Sequence, residues 1–514
     1  MSRVFAVIKR DSYRDSIFLM RLSAQASRSG GVEAVSAMMA TDRNKDLFAA
    51  SGLMTPEIAA AAPNDLAIAI KGDAAGVDAA AALALQLLDA EPERRKSGGV
   101  GEETPATLRQ AKRADAGLNI ALVSVAGDFA RYEAAEALAL GMDVMLYSDN
   151  ISLADELALK RLADRKGLLV MGPDCGTAII DGTPLAFANR VRKGPVGVVG
   201  ASGTGLQEVT CLLERMGVGI GQAYGAGGRD LKDDVGGITA LAALNRLGKD
   251  PTVEALVILG KPPGRETRKK LLARIREIGK PAFVHYLGAD EYSAEEKAGV
   301  AAARDLEELA VKAARHVRPS AALGDAESAP PPPSPAKSGC LHGIFGGGTL
   351  CQEAALICGE MLSSPRASNL SAPGYEKIGG SDAFSGHLFL DLGEDEFTVG
   401  RPHPMMAPDL KMDRIAAALR DPGVRVVLMD LVIGHGSHPR QAELAVEALT
   451  AAKPESEEKI VVASVTGTDA DNPTRESQAK ILREAGVIVL ASNARAARWA
   501  ARAAMGVTGD GDDQ

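Results

Sequence analysis

Short apolar runs alternate with amphipathic stretches along nearly the whole chain. Runs such as VFAVI (4–8), ALVILG (255–260) and VVLMDLVIG (426–434) are no longer than a buried strand. The stretches between them place apolar residues at helical spacing, and many of the runs lead into a glycine-containing turn. This alternation predicts an α/β protein with several doubly wound parallel-sheet domains, both Rossmann-like and flavodoxin-like.

Two segments interrupt the alternation and divide the chain. The stretch 91–105 (EPERRKSGGVGEETP) is charged and contains glycine, and 319–338 is rich in proline and poor in apolar residues, as expected of linkers. The predicted organisation is an N-terminal α/β domain with its charged linker (1–112), a Rossmann-type domain (113–193), a flavodoxin-type domain (194–317), a Pro-rich linker (318–338) and a second flavodoxin-type domain (339–514).

Composition narrows the function classes. At 514 residues and 46% hydrophobic content the chain can build several cores. The net charge of −9 argues against sequence-independent nucleic-acid binding. The amino terminus lacks the pattern of a secretory signal and no apolar run has the length of a membrane span, so we expect a cytoplasmic protein without a membrane partner. Its five cysteines, without a CxxC pair, indicate reduced thiols and no zinc site.

The first candidate site is the turn formed by Ser202, Gly203, Thr204 and Gly205. Glycines let a ligand approach the backbone amides, and the helix that follows directs the positive end of its dipole at the same place. An anion is the expected ligand. The alternative is a tight strand-to-helix turn that binds nothing, as single glycine turns often are.

A second anion site is predicted in the loop Gly434, His435, Gly436, Ser437 and His438. Pro439 suits a first helical turn, the amides before it are expected to be free, and Arg440 could add positive charge. The three-residue spacing of the two histidines also allows a metal site. We predict no metal, because Gly436 and Pro439 disfavour a regular helix there.

Two further glycine loops are candidate substrate loops. Gly227, Gly228 and Arg229 follow a predicted strand at its carboxyl end, where open α/β sheets place their sites. For Arg229 the alternative is a surface salt bridge. Gly347, Gly348 and Thr349 repeat the strand, glycine turn and helix seen at Ser202, so the two halves of the chain look alike.

Several of these motifs carry a resemblance to a known family. MGPDCGTAI, VGVVGASGTGLQEVT, YGAGGRD and DPTVEALVILGKPPG, in this order, resemble the alpha subunit of succinyl-CoA synthetase over about 117–290. FLDLG, DRIAAALRDPGVRVVLMDLVIGHGSHPR and VVASVTG resemble the carboxyl-terminal domain of its beta subunit. A fusion of the two in this order, with a Pro-rich tether, resembles the FdrA family of acyl-CoA synthetase relatives.

The resemblance implies a phosphate site between two helix amino termini, led here by Ser202–Gly205 and Gly434–His438. The phosphohistidine segment of the synthetases, GHAGA-like, has no counterpart, and His285 lies inside a predicted strand. We therefore expect no phosphohistidine relay. Neither an ATP-grasp domain nor a P-loop is recognisable. We assign no cofactor: CoA is implied by the family, but the glycine-rich opening of the CoA-binding domain is not recognisable in 1–92.

The FdrA resemblance implies a subunit of an oxamate carbamoyltransferase-type enzyme of purine catabolism, which converts oxalurate and phosphate to oxamate and carbamoyl phosphate. The alternative is a succinyl-CoA synthetase-like acyl-CoA ligase that needs a separate nucleotide-binding partner. A third reading is a non-catalytic scaffold. The expected partners are a small anionic substrate, other enzyme subunits and further copies of the chain.

Overall fold

The computed structural model describes residues 3–12, 14, 16–27, 29–90, 105–289, 291–324, 339–363, 365–379, 384–398, 401–452 and 459–506. The chain forms two compact units, one of Met1–Thr104 with Asp395–Pro402 and one of Pro105–Glu394 with His403–Gln514. Most of both predicted linkers, 91–104 and 325–338, lies outside the described residues.

The first unit contains a three-stranded sheet in the order β1-β3-β2, with both pairings antiparallel. The central strand, LAIAIKG, is almost entirely buried, which explains its continuous apolar pattern. The elements are β1 (Arg3–Lys9), α1 (Ser16–Ala26), β2 (Val32–Met39), α2 (Asp42–Ala50), α3 (Pro56–Ala60), β3 (Leu66–Gly72) and α4 (Ala74–Ala90), with α14 (Asp395–Thr398) from later in the chain.

The second unit begins with a small parallel sheet in the order β4-β5-β6. Its helices pack on it through alanine and leucine, including Ala130, Ala134 and Leu138. The elements are α5 (Leu108–Ala114), β4 (Ile120–Val123), α6 (Gly127–Ala139), β5 (Asp143–Leu146), α7 (Leu153–Lys166) and β6 (Val170–Met171).

A seven-stranded sheet follows in the order β13-β12-β11-β9-β10-β7-β8. The strands from β13 to β10 are parallel, whereas β7 and β8 are antiparallel. The elements are β7 (Thr177–Ile180), β8 (Thr183–Ala186), β9 (Lys193–Gly200), α8 (Gly203–Arg215), β10 (Ile220–Gly225), α9 (Ile238–Lys249), β11 (Ala255–Gly260), α10 (Arg265–Ile278), β12 (Ala282–Tyr286), α11 (Ser293–Lys297), β13 (Ala301–Ala302) and α12 (Leu306–Val317). Thus β7 and β8, which we assigned to the preceding domain (113–193), extend this sheet.

The last sheet has seven strands in the order β16-β15-β17-β14-β18-β19-β20, and all its pairings are parallel. The elements are β14 (Cys340–Phe345), α13 (Gly348–Met361), β15 (Arg366–Ser368), β16 (Glu376–Lys377), β17 (His387–Asp391), α15 (Asp409–Arg420), β18 (Val424–Val432), α16 (Gln441–Ala452), β19 (Ile460–Thr466), α17 (Arg475–Glu484), β20 (Ile488–Leu490) and α18 (Asn493–Met505).

The two seven-stranded sheets share one hydrophobic core. Leu206, Val209 and Leu212 of α8 lie in the same cluster as Leu350 of α13 and Trp499 of α18. Alanines along α12 and α18 allow these helices to pack closely. The shared core fixes the amino termini of α8 and α13 relative to each other, and this positions the site described below.

The topology confirms the predicted fold class of α/β domains with parallel sheets. All five cysteines are described, and none forms a disulfide. Among the described helices, none is both long and apolar enough to cross a membrane.

Candidate functional site

The amino termini of α8 and α13 meet directly. Ser202 caps α8, since its Oγ accepts a hydrogen bond of 3.1 Å from the amide of Gly205. The same Oγ shares a hydrogen bond with Thr349 Oγ1 in the first turn of α13. The structure therefore brings together two loops that we predicted separately.

Small residues make this approach possible. A methyl group at Gly205 would lie 2.5 Å from Ser202 Oγ and 3.1 Å from Thr349 Cγ2. A methyl group at Gly347 would lie 2.9 Å from Thr204 Cγ2. These distances are too short for a side chain, so glycine is required by packing at both positions.

The two helix starts present unsatisfied donors. The first amides of a helix have no acceptor within the helix. In the described part of the chain, no acceptor is hydrogen-bonded to the amides of Gly203, Thr204, Gly348 or Thr349. Ser202, Gly203, Gly348 and Thr349 are partly exposed, whereas Thr204 is buried. Opposed helix dipoles concentrate positive potential between them.

Asp430, in β18, organises the turn before α13. Its fully buried carboxylate accepts hydrogen bonds from the amides of Gly346 (2.8 Å) and Gly347 (2.9 Å). Lys411 of α15 forms a buried ion pair with it. Sequence reasoning missed both residues, although an acidic residue inside the apolar run VVLMDLVIG was the available signal.

Asp391, the last residue of β17, is a second buried carboxyl group at α13. Its Oδ1 accepts a hydrogen bond of 2.8 Å from the amide of Gly393, and its Oδ2 lies 2.4 Å from where a methyl group at Gly348 would stand. Burial, followed by the nearby charges of Glu394 and Asp430, raises the pKa of Asp391 to about 7. We also missed this residue, although an Asp ending the strand in FLDLG was visible.

His403 lies on the other side of Gly393. A methyl group at Gly393 would be 2.7 Å from His403 Nε2 and 3.1 Å from Asp391 Oδ1. The amide of Met405 donates to His403 Nδ1 at 3.2 Å, which leaves the hydrogen of the neutral ring on Nε2. Burial lowers the pKa of His403 to about 4, so the ring is neutral at neutral pH. The protonated Nε2 is a donor, not a nucleophile.

The loop Gly434–His438 differs from our expectation of free amides. The amides of His435, Ser437 and His438 donate to Ala188 O (2.9 Å), Gly434 O (3.3 Å) and Met405 O (2.7 Å). Positive φ angles of 116° at Gly434 and 79° at Gly436 fold the loop back onto the protein, and this directs the amides inward. The predicted additional charge, Arg440, is exposed and paired with Glu447.

This loop and the start of α8 contact the same segment of chain. A methyl group at Gly436 would lie 2.9 Å from the ring of Phe187. Thr177 Oγ1 donates to Phe187 O at 2.7 Å and would lie 3.5 Å from a methyl group at Gly203. The predicted loop therefore borders the candidate site through Phe187 and Thr177. A cavity of about 240 Å³ adjoins it, lined by Arg190, Gly434, His435, Asp471 and Asn472.

The loop with Gly227, Gly228 and Arg229 has a packing role. Gly227 lies against the backbone of Gly172 and Pro173. The guanidinium of Arg229 donates to Glu156 Oε2 and to Ile151 O, each at 2.8 Å. These contacts join the loop to α7. The salt bridge that we gave as the alternative for Arg229 is present, but its partner Glu156 is fully buried and not on the surface.

His285 does not lie in an exposed loop, and the structure also bears on whether a metal ion could be bound. His285 is buried in β12 with its Nδ1 2.9 Å from Ala303 O, and burial lowers its pKa. Within the described residues, no group of three or more His, Cys, Asp or Glu side chains is arranged to hold a metal ion.

Comparison with known proteins shows to which family the chain belongs. Residues 344–503 match the CoA-ligase family model, and residues 1–105 match the heavy metal-associated domain of AllF. The YahF protein of Escherichia coli (strain K12) is 38% identical over 502 residues, covering 95% of this chain and 96% of YahF. The chain belongs to the YahF family.

Partial relatives of this YahF-family chain are succinate–CoA ligase alpha subunits. That of Aquifex aeolicus is 28% identical over 188 residues, which is 35% of the chain and 60% of that subunit. That of Methanothermobacter thermautotrophicus is 27% identical over 34% of the chain and 58% of the subunit. Among solved structures, an acetyl-coenzyme A synthetase of Ca. Korarchaeum cryptofilum aligns over 79% of this chain and 86% of its own, with 14% identity and a TM-score of only 0.35.

The match to a heavy metal-associated domain raises the question of a metal in the first unit. Soft metal ions are bound by cysteine thiolates and imidazoles. Residues 1–105 contain neither cysteine nor histidine. The residues of this segment therefore do not fit such an ion, and no chemistry is assigned to one.

Proposed function

We propose that the chain is the acyl-transfer component of a CoA-ligase-related enzyme, which holds a phosphoryl or acyl-phosphate group between the amino termini of α8 and α13. The observation that carries this proposal is the contact of Ser202 with Thr349, which brings the starts of two helices and their unsatisfied amides together. The CoA-ligase family match and the succinate–CoA ligase relatives support the same reading.

The proposed chemistry needs few side chains. Amides fixed before the reaction stabilise negative charge that develops on the phosphoryl oxygens as the acyl group is transferred. Asp430, held by Lys411, keeps the Gly346–Gly347 turn in place, so the donors of α13 need not reorganise. CoA would be the acyl acceptor and a nucleotide-binding partner chain would supply the phosphoryl group.

A second candidate is carbamoyl transfer of the oxamate carbamoyltransferase type, as the FdrA resemblance implies. A specific observation favours it: His285 is buried in β12, and in His403 the Nδ1 accepts a hydrogen bond from the amide of Met405, which leaves the hydrogen on Nε2. Neither ring suits a phosphohistidine relay. Carbamoyl phosphate could be formed or consumed at the same anion site without such a relay.

The two functions are distinguished by assays on the full chain together with partner chains recovered by copurification. Acyl-CoA ligase activity predicts CoA-dependent nucleotide hydrolysis with a carboxylic acid present. Carbamoyl transfer predicts carbamoyl phosphate from oxalurate and phosphate. If neither activity is found, the chain is a scaffold and the proposal is wrong.

A matched pair of glycine variants tests the site itself. We expect Gly203→Val to abolish whichever activity is found, because the side chain covers the amides while its first carbon meets only Thr177 Oγ1 at 3.5 Å. Gly30→Val is the control, since the first side-chain carbon there would meet no atom of the described residues within 4 Å. Equal activity of both variants would contradict the assignment of the site. Acid-labile phosphate on the chain after incubation with ATP and magnesium would contradict the absence of a relay.

A further inference from the structure

The carboxyl group of Asp391 lies beside the start of α13, which forms one side of the proposed anion site. The residue is 3% exposed, and its Oδ2 lies 2.4 Å from where a methyl group at Gly348, the first residue of α13, would stand. Gly393 N donates to Oδ1. Within the described residues, Oδ2 has no hydrogen-bond donor, so this oxygen is directed at the helix start without a partner.

Asp430 provides the contrast within the same site. Two amides and the ammonium of Lys411 surround its carboxylate, which fixes the turn before α13. In the part of the chain that the structure describes, the carboxyl group of Asp391 has one amide donor and no ion pair. Two carboxyl groups in such different environments suit different roles.

The charged groups around Asp391 belong to several elements, and they do not compensate the negative charge that its carboxyl group has when ionised. Burial raises its pKa to about 7, and Lys261 lowers it only as a minor effect. The titratable or charged groups around it are Lys261, Cys351, Glu394, His403 and Asp430, the last with Lys411 as its partner.

We propose that anion binding between α8 and α13 is coupled to the uptake of one proton by Asp391. An ionised Asp391 would itself place negative charge at the start of α13 and repel the incoming anion. Once a proton from the solvent is bound at Oδ2, the group becomes a donor to an anion oxygen, and the proton returns to the solvent when the anion leaves. This inference rests on the proposed function, because it concerns the same site.

The test uses sulfate, which keeps its charge of −2 between pH 5.5 and 8.5 where phosphate titrates. Sulfate affinity of the full chain is measured by calorimetry across this range, in two buffers of different ionisation enthalpy. We expect the association constant to fall about tenfold per pH unit above the pKa of Asp391, with one proton taken up per sulfate. Asp391→Asn should bind sulfate with little pH dependence. The control Asp413→Asn, exposed on α15, should keep the wild-type slope.

The outcomes separate this inference from the proposed function. Sulfate binding that is lost in Gly203→Val but has the same slope in wild type and Asp391→Asn would overturn the proton coupling and leave the anion site intact. No sulfate binding at any pH, or binding unaffected by Gly203→Val, would overturn the anion site and the coupling with it. The proton count is made on the wild-type chain, so it decides the question even if Asp391→Asn does not fold.

Discussion

Lys411→Met should destabilise the second unit strongly. Lys411 and Asp430 have side chains that are 3% and 0% exposed, and the carboxylate of Asp430 would remain with only two amide donors once the ammonium is removed. Breaking a buried ion pair by removal of one partner costs about 3–5 kcal/mol, because the remaining charge is uncompensated. Methionine matches the length of the lysine stem, so packing around α15 should change little.

The chain provides its own probe for this measurement. Its single tryptophan, Trp499, is 8% exposed on α18, in the same core cluster as Leu350 of α13. Urea unfolding followed by Trp499 fluorescence therefore reports the stability of the core that holds the site. The expected result is a lower midpoint for Lys411→Met with an unchanged slope.

Two further variants show whether the ion pair is responsible. The double variant Lys411→Met, Asp430→Asn should recover at least about 1 kcal/mol relative to Lys411→Met alone, since residues in contact couple. Lys480→Met removes an exposed partner of Glu484 and should leave the midpoint nearly unchanged. A loss below about 1 kcal/mol for Lys411→Met would refute the reasoning, because it would mean that the buried charge is compensated without Lys411.

Three other results are expected. Ser202→Ala and Thr349→Val should each cost about 1 kcal/mol, and a double-mutant cycle by urea unfolding should show coupling from their shared hydrogen bond; additive losses would contradict the contact. Gly205→Ala should lower the melting temperature by several degrees, because its methyl group would lie 2.5 Å from Ser202 Oγ. In the folded chain the pKa of Asp391 is raised from 3.8 to about 7. The protonated group therefore stabilises the fold fully below pH 3.8, and this contribution is lost as the pH rises through 7. The total loss is up to about 4 kcal/mol. Asp391→Asn should remove this decline between pH 4 and 7, and an unchanged stability profile would show that Asp391 is not responsible.

The features that follow local rules could be predicted from the sequence. The strand and helix alternation, the glycine turns at Ser202–Gly205 and Gly347–Thr349, and the cap at Ser202 depend on residues a few positions apart. Apolar spacing and backbone freedom act within one or two turns of chain. For this reason the fold class and both helix starts were accessible without a structure.

The partners of these turns could not be predicted in the same way. We paired Ser202 with the loop at Gly434–His438, whereas the direct contact of Ser202 is with Thr349. The amides of that loop are directed inward because Ala188 O and Met405 O lie beside them, and neither neighbour is close in sequence. Whether a turn presents free donors depends on what packs against it.

The buried polar residues show most clearly which features the sequence determines and which features depend on the tertiary structure. The sequence by itself determined that Asp391 and Asp430 end or occupy apolar strands and that His403 follows a proline, but each looked like a lone polar residue. Only the tertiary structure decided that two carboxyl groups, a neutral imidazole and two helix starts converge at α13. The physical reason is that the cost of burying charge and the gain from pairing it depend on distances between strands far apart in the chain, which the shared core of the two sheets sets.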